Sequence, residues 1–143
     1  MLKVLVIDGQ GGRMGGAVVE QLKSAFPGLE LTAIGTNSIA TAAMLKAGAD
    51  HGATGENPVL CNCPDADIII GPIGIIIANA LLGEVTPKMA VAVSGSKAKK
   101  ILIPISKCNC HVVGTQSMNL SEYMAMVVEQ VGSLLKEAST GDS

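Results

Sequence analysis

Val4-Leu5-Val6-Ile7-Asp8, running directly into Gly9-Gln10-Gly11-Gly12-Arg13-Met14-Gly15-Gly16, is the stretch on which the fold turns. A continuous apolar run of this length reads as a strand buried on both faces, the habit of parallel sheets covered by helices. The glycines form a turn, and Val18, Val19 and Leu22 then recur at helical spacing until Pro27-Gly28 stops the helix. Residues 29–34 read as the second strand. Strand, glycine turn, helix and second strand within about 30 residues is the context that gives a dinucleotide fingerprint physical meaning.

Outward from this unit the pattern repeats. Thr36, Asn37 or Ser38 caps a helix that stops at Gly48. A short strand is expected at 52–54, then a helix capped by Asn57 with Pro58 at its first position. Further strands are expected at 67–71 and 101–105, with 111–114 as the candidate for a sixth. Helices are expected at 75–82, after Thr86 and over 117–137. Leu120, Met124, Val127, Val131 and Leu134 lie along one stripe of that last helix. Met126, Val128 and Leu135 widen it, consistent with deep packing or with a subunit contact. The alternation predicts a single α/β domain over 1–143: three layers, Rossmann-like and doubly wound, around a mainly parallel sheet of five or six strands.

Composition narrows the function. Apolar residues are 48% of the 143, which supplies a core. Net charge is −2, and Arg13 is the single arginine, a poor match to a phosphate backbone, so no nucleic-acid partner is expected. Mean hydropathy is +0.46, yet the longest uncharged run, 68–83, has 16 residues broken by Pro72 and Gly74. A membrane span needs about 20. The apolar run at 4–7 is too short for a signal-peptide core. A cytoplasmic protein with no membrane partner is therefore expected, its cysteines reduced. Charged residues are only 15%, against about 25% on average, which points to surface covered by another subunit and so to a homo-oligomer.

In the turn, Gly9, Gly12 and Gly15 satisfy G-x-x-G-x-x-G, although Met14 breaks the stricter G-x-G-x-x-G. Either spelling lets backbone approach a phosphate at a helix N-terminus. The stretch Gly12-Arg13-Met14-Gly15 resembles the nucleotide-binding turn of dihydrodipicolinate reductases, and the likeness covers only this first unit. No lysine follows as a P-loop requires. The end of the second strand offers Gly35, Thr36, Asn37 and Ser38, none acidic, where NAD-binding folds place a ribose-holding acid. That favours NADP first and NAD second, with coenzyme A or another adenylate as further options. Candidate ligand-binding residues are Gly9, Gln10, Gly11, Gly12, Arg13, Met14 and Gly15, the Gly35-Thr36-Asn37-Ser38 segment, and Gly71, Pro72, Ile73 and Gly74 after the fourth strand. The first glycine turn reads as a phosphate site ahead of a merely structural turn, whereas the Gly71-Pro72-Ile73-Gly74 loop reads equally as a tight strand-to-helix turn. Glu56 and Asn57 are weaker ribose candidates.

No catalytic set stands out. Asp8 and His111 are the weak candidates for an acid or base; Ser106 and Lys107 could meet a phosphate or carboxylate; His51 reads as a surface residue. Lys97, Lys99 and Lys100 fall at the amino end of the sheet, away from a ligand. Cys61, Cys63, Cys108 and Cys110 do not form one metal site, because a strand places the two pairs at opposite sheet ends about 16 Å apart. Cys108, Cys110 and His111 could hold a metal or supply a thiolate, or the cysteines serve as small buried hydrophobes. No metal is expected.

The blocks Val6-Ile7-Asp8-Gly9-Gln10-Gly11-Gly12, Gly35-Thr36-Asn37-Ser38-Ile39-Ala40-Thr41-Ala42-Ala43-Met44, Ala53-Thr54-Gly55-Glu56-Asn57 and Ile70-Gly71-Pro72-Ile73-Gly74 resemble a short bacterial, clostridial-type family of unknown function. The resemblance implies a stand-alone Rossmann-like domain and brings no activity or catalytic residues. Arg13-Met14 departs from the smaller, more apolar turn of relatives. Three functional classes stay open: a sensor or regulatory module binding a nucleotide-type ligand, an NADP-dependent oxidoreductase completed by oligomerisation, and a small-molecule transferase or structural partner.

Overall fold

The computed structural model describes residues 2–105 and 110–141. Its elements are β1 (Val4–Asp8), α1 (Arg13–Ala25), β2 (Leu31–Gly35), α2 (Ser38–Ala47), β3 (His51–Thr54), α3 (Glu56–Asn62), β4 (Ile68–Pro72), α4 (Pro87–Ser94), β5 (Lys99–Ile103) and α5 (Leu120–Gly141). All four strand pairings are parallel, in the order β3-β2-β1-β4-β5. The chain is thus a three-layer α/β domain. Strand order reverses between β1 and β4, so the loops after these two strands diverge and leave a crevice at their carboxyl ends.

Side-chain alternation on β1 divides the core. Val4 and Val6 face Val18, Val19 and Leu22 of α1, Met44 of α2, and Tyr123, Met124, Val127 and Val131 of α5. Leu5 and Ile7 face Val59 of α3 and Met89, Ala90 and Val93 of α4. Burying such side chains is worth about 1.5–3 kcal/mol each. Val128 and Leu135 pack against the first layer, whereas Met126 stays 53% exposed.

Several boundaries differ from expectation for local reasons. The segment 111–114 forms no strand: Val112 carbonyl accepts from Thr115 N at 3.3 Å, and Gly114 has φ +89°, so the chain turns there. Helix α3 is capped by Gly55 (φ +100°) and not by Asn57. Pro104 has no N–H to continue a ladder, and β5 begins earlier, at Lys99, whose N–H donates to Asp67 carbonyl at 2.9 Å. Helix α5 starts at Leu120 because Asn119 and Glu122 form a reciprocal capping box, with Glu122 N donating to Asn119 Oδ1 at 2.9 Å and Asn119 N donating to Glu122 Oε1 at 3.0 Å.

The largest difference is at 75–82. A single 3-10 turn, Ile73–Ile76, ends where Ile77 becomes extended, and no α-helix follows. Consecutive β-branched isoleucines are poor helix formers. Asn79, Leu81 and Leu82 instead adopt left-handed backbone with φ of 65°, 57° and 58°.

Candidate functional site

The crevice between β1 and β4 holds a cavity of about 330 Å³. The turn after β1, Gly9 to Met14, forms one wall with Asp8 beneath it, and Pro72, Leu81, Ile105 and Leu120 form an apolar wall opposite. The loops of three strands and the start of α5 therefore converge where a parallel sheet places its ligand.

Asp8 is 6% exposed and its carboxylate is fully engaged by the turn. Oδ1 accepts from Gly9 N at 2.8 Å and Oδ2 from Gly15 N at 2.6 Å. Gly15 N is the third amide of α1, one of the donors that a helix start leaves without an intrahelical partner. The protein's own carboxylate thus takes a position that a bound phosphate would otherwise favour. Burial pushes the Asp8 carboxyl above its ordinary value, against the two N–H bonds, and the nearby Glu84 charge adds to the rise.

Glu84, arriving from the loop before α4, closes the neighbouring space. Its Oε1 accepts from Thr36 Oγ1 at 2.6 Å, Gln10 N at 2.7 Å and Asn37 Nδ2 at 2.9 Å. Burial raises this carboxyl, but the three donors outweigh it and hold it below its usual range. Asn37 also donates to Gln10 carbonyl at 2.9 Å, and its Oδ1 caps α2 by accepting from Ala40 N at 2.9 Å. Nothing in the sequence pattern singles out Glu84. The signal for it is indirect: Thr36 and Asn37 are donors at a strand end that supplies no acid of its own.

The glycines serve contact before conformation. A Cβ on Gly12, whose φ is +71°, would lie 2.6 Å from Ala40 Cα, so this residue lets α1 and α2 approach. Substituting Gly12→Glu is accordingly a change to the fold and not the selective ligand knock-out its place in the turn suggests. A Cβ on Gly15 would meet Met44 Sδ at 2.6 Å and Asp8 Cβ at 2.8 Å. Gly71 passes against Ile7 carbonyl and Gly35 against Thr41, both too closely for a side chain. Gly11 alone in the turn has open space around it. Its N–H and those of Arg13 and Met14 have no acceptor among the described residues.

Of the expected site residues, the structure gathers Gly9, Gln10, Gly11, Gly12, Arg13, Met14 and Pro72 around the cavity with Asp8. Gly35, Thr36, Asn37 and Ser38 do not line it, and neither do Gly71, Ile73 and Gly74. His111 is exposed in an irregular segment and does not line it. Glu56 accepts from Thr86 Oγ1 at 2.6 Å. His51 is exposed and meets Glu30 Oε1 at 2.6 Å. Cys63 is buried before β4, while Cys61 and Cys110 are exposed; Ser106, Lys107 and Cys108 lie outside the described residues. No helix among the described residues is long and apolar enough to cross a membrane.

Residues 3–136 match the model of a domain of unknown function, DUF3842, and the chain belongs to that family. No curated protein matches it. Among solved structures it is similar to a dodecameric FMN-dependent UbiX-like decarboxylase from Escherichia coli O157:H7. That likeness has 16% identity and a TM-score of 0.51, covering 90% of this chain and 94% of that one. It supports the Rossmann-like architecture. It also corrects the expected cofactor: the similar protein is FMN-dependent, and NADP or NAD has no support here. The geometry agrees, since Asp8 already occupies the N–H of Gly15, expected to hold phosphate, and Glu84 already occupies Thr36 and Asn37, expected to hold the ribose or its phosphate.

Proposed function

We propose that this chain is a cytoplasmic binding module for a flavin-mononucleotide-type ligand, a planar ring carrying a single phosphate, held in the crevice between β1 and β4. The observation that carries the reading is the cavity itself, with its polar turn on one side and its apolar wall on the other. Its volume of about 330 Å³ is at the lower end of small-molecule sites. Pro72, Leu81, Ile105 and Leu120 offer a surface on which a ring can lie. The N–H groups of Gly11, Arg13 and Met14 at the start of α1, without an acceptor among the described residues, offer with the Arg13 guanidinium a place for one phosphate. The similar decarboxylase is FMN-dependent and dodecameric, which supports the ligand class and the association of subunits. A regulatory or sensing role fits better than catalysis, because Asp8 is engaged on both oxygens and His111 stands away from the cavity.

Titration of the purified chain with FMN, followed by flavin fluorescence and by the change in Tm, tests the reading. Saturable binding is expected in the micromolar range. Arg13→Ala and Gly11→Asp should each weaken it about tenfold, equivalent to about 1.4 kcal/mol, while leaving the unliganded Tm unchanged. Absence of FMN binding at millimolar concentration overturns it.

A further inference from the structure

We propose that Glu84 is a specificity-determining residue that shuts the β2 half of the crevice, so that the site accepts a ligand with one phosphate on the β1–β4 side and excludes an adenylate lying over Thr36 and Asn37. This deepens the reading of the cavity as a ligand site and rests on it.

Three donors from two separate loops, Gln10 N, Thr36 Oγ1 and Asn37 Nδ2, converge on one oxygen of Glu84. Convergence of this kind makes an oxyanion position. Here it is filled from within, and an incoming phosphate would have to displace a carboxylate and then face its charge. The loop that delivers Glu84 is shaped for this placement. Asn79 N donates to Val85 carbonyl at 2.7 Å, Val85 N to Ala80 carbonyl at 3.1 Å, and Glu84 N to Leu81 carbonyl at 3.1 Å, folding the loop back on itself. Three of its residues, Asn79, Leu81 and Leu82, are left-handed without being glycine, and such backbone persists where surrounding contacts over-determine it. The contacts are with the site. Leu81 lines the cavity, and a Cβ on Gly9 would lie 2.8 Å from both Leu81 Cδ1 and Glu84 Oε1. Loop and turn are in direct contact, with Gly9 providing the room. In the other half of the crevice the amides of Gly11, Arg13 and Met14 have no acceptor among the described residues.

The test uses the full chain as wild type, Glu84→Ala and Glu84→Gln. Titrations with ADP and with FMN are followed by calorimetry, and amide hydrogen exchange by mass spectrometry. Wild type is expected to show no ADP binding at millimolar concentration. Glu84→Ala should bind ADP at least tenfold tighter than wild type, keep its FMN affinity within threefold, and exchange Gln10 and the 77–85 amides at least tenfold faster. Glu84→Gln keeps an acceptor oxygen, so exchange should stay slow while loss of charge improves ADP binding about threefold. ADP binding by wild type as tight as FMN binding overturns the assignment; so does unchanged ADP affinity in Glu84→Ala. Should that variant not fold, unchanged ADP affinity in Glu84→Gln overturns it equally. A gain for ADP in the variants with no FMN binding in any of the three removes the flavin reading and leaves the role of Glu84 standing.

Discussion

Asp8 Oδ2 lies 2.6 Å from the backbone nitrogen of Gly15, so the last residue of β1 caps the helix that begins five residues later. Strand and helix are tied at the point where nucleotide-binding folds of this topology admit a phosphate. A Cβ on Gly15 would lie 3.1 Å from the same oxygen, so the bond and the glycine depend on one another.

Removing the carboxylate tests the tie. Asp8→Ala leaves the Gly9 and Gly15 amides without their acceptor in a buried place, and stability should fall by about 1–3 kcal/mol. Inorganic phosphate should then raise the Tm of the variant more than that of wild type, because an external anion can fill the helix N-terminus. Denaturant unfolding with and without phosphate reads both effects; equal phosphate shifts in the two proteins would show that Asp8 does not occupy an anion position.

Neighbouring glycines in the turn should respond differently to one methyl group. Gly12→Ala drives a Cβ to 2.6 Å from Ala40 Cα at a backbone φ of +71°, and a loss of about 1–3 kcal/mol is expected. Gly11→Ala meets open space and should stay within about 0.5 kcal/mol of wild type. Thermal unfolding of the two variants checks the contrast.

The β1–turn–α1–β2 unit is legible in the sequence because its signals are local: an apolar run, glycines and helical periodicity within one stretch of chain. Asn37 and Thr86 are legible as caps for the same reason, each accepting from an amide three residues on. Glu84 is not, since its partners are 74, 48 and 47 residues away and nothing periodic announces such a bond. The 75–82 segment misleads because an apolar run of that length suits a helix. Its isoleucines and Ala80 do fill the α3–α4 layer, but from a turn packed against Gly9 and closed by its own backbone hydrogen bonds. The cofactor expectation fails for the same reason. The absence of an acid on β2 points to a 2′-phosphate only as long as no acid from another loop stands there, and Glu84 does.

Thiol chemistry gives an independent check on the layer beneath β4. Burial pushes the Cys63 thiol up to about 11, and its side chain is fully buried, so it stays protonated and shielded at neutral pH. Cys61, two residues away, is exposed, as is Cys110. A thiol reagent at pH 8 followed by peptide mass mapping should label Cys61 and Cys110 in the native protein and Cys63 only after denaturation. Labelling of Cys63 at the rate of Cys61 would place it at the surface.

The two site carboxylates should pull stability in opposite directions with pH. Burial raises Asp8 above its unfolded value of 3.8, so the folded state holds this proton more tightly. Its contribution is fully present below 3.8 and is lost as pH rises through the raised value. Glu84 lies below its unfolded value of 4.5 because its donors outweigh burial, so its contribution is present above 4.5 and is lost as pH falls through the lowered value. Relative to Asp8→Asn, the stability advantage of wild type should therefore shrink as pH rises from 3.8 towards neutrality. Relative to Glu84→Gln it should shrink as pH falls below 4.5. Neither slope can exceed about 1.4 kcal/mol per pH unit, the limit for one proton. Urea unfolding of the three proteins between about pH 3 and 7 measures both differences, and the other titrating groups, Asp50 among them, cancel in the subtraction. Parallel slopes of the same sign would mean that Asp8 is not held in a place where burial outweighs the Gly9 and Gly15 amides.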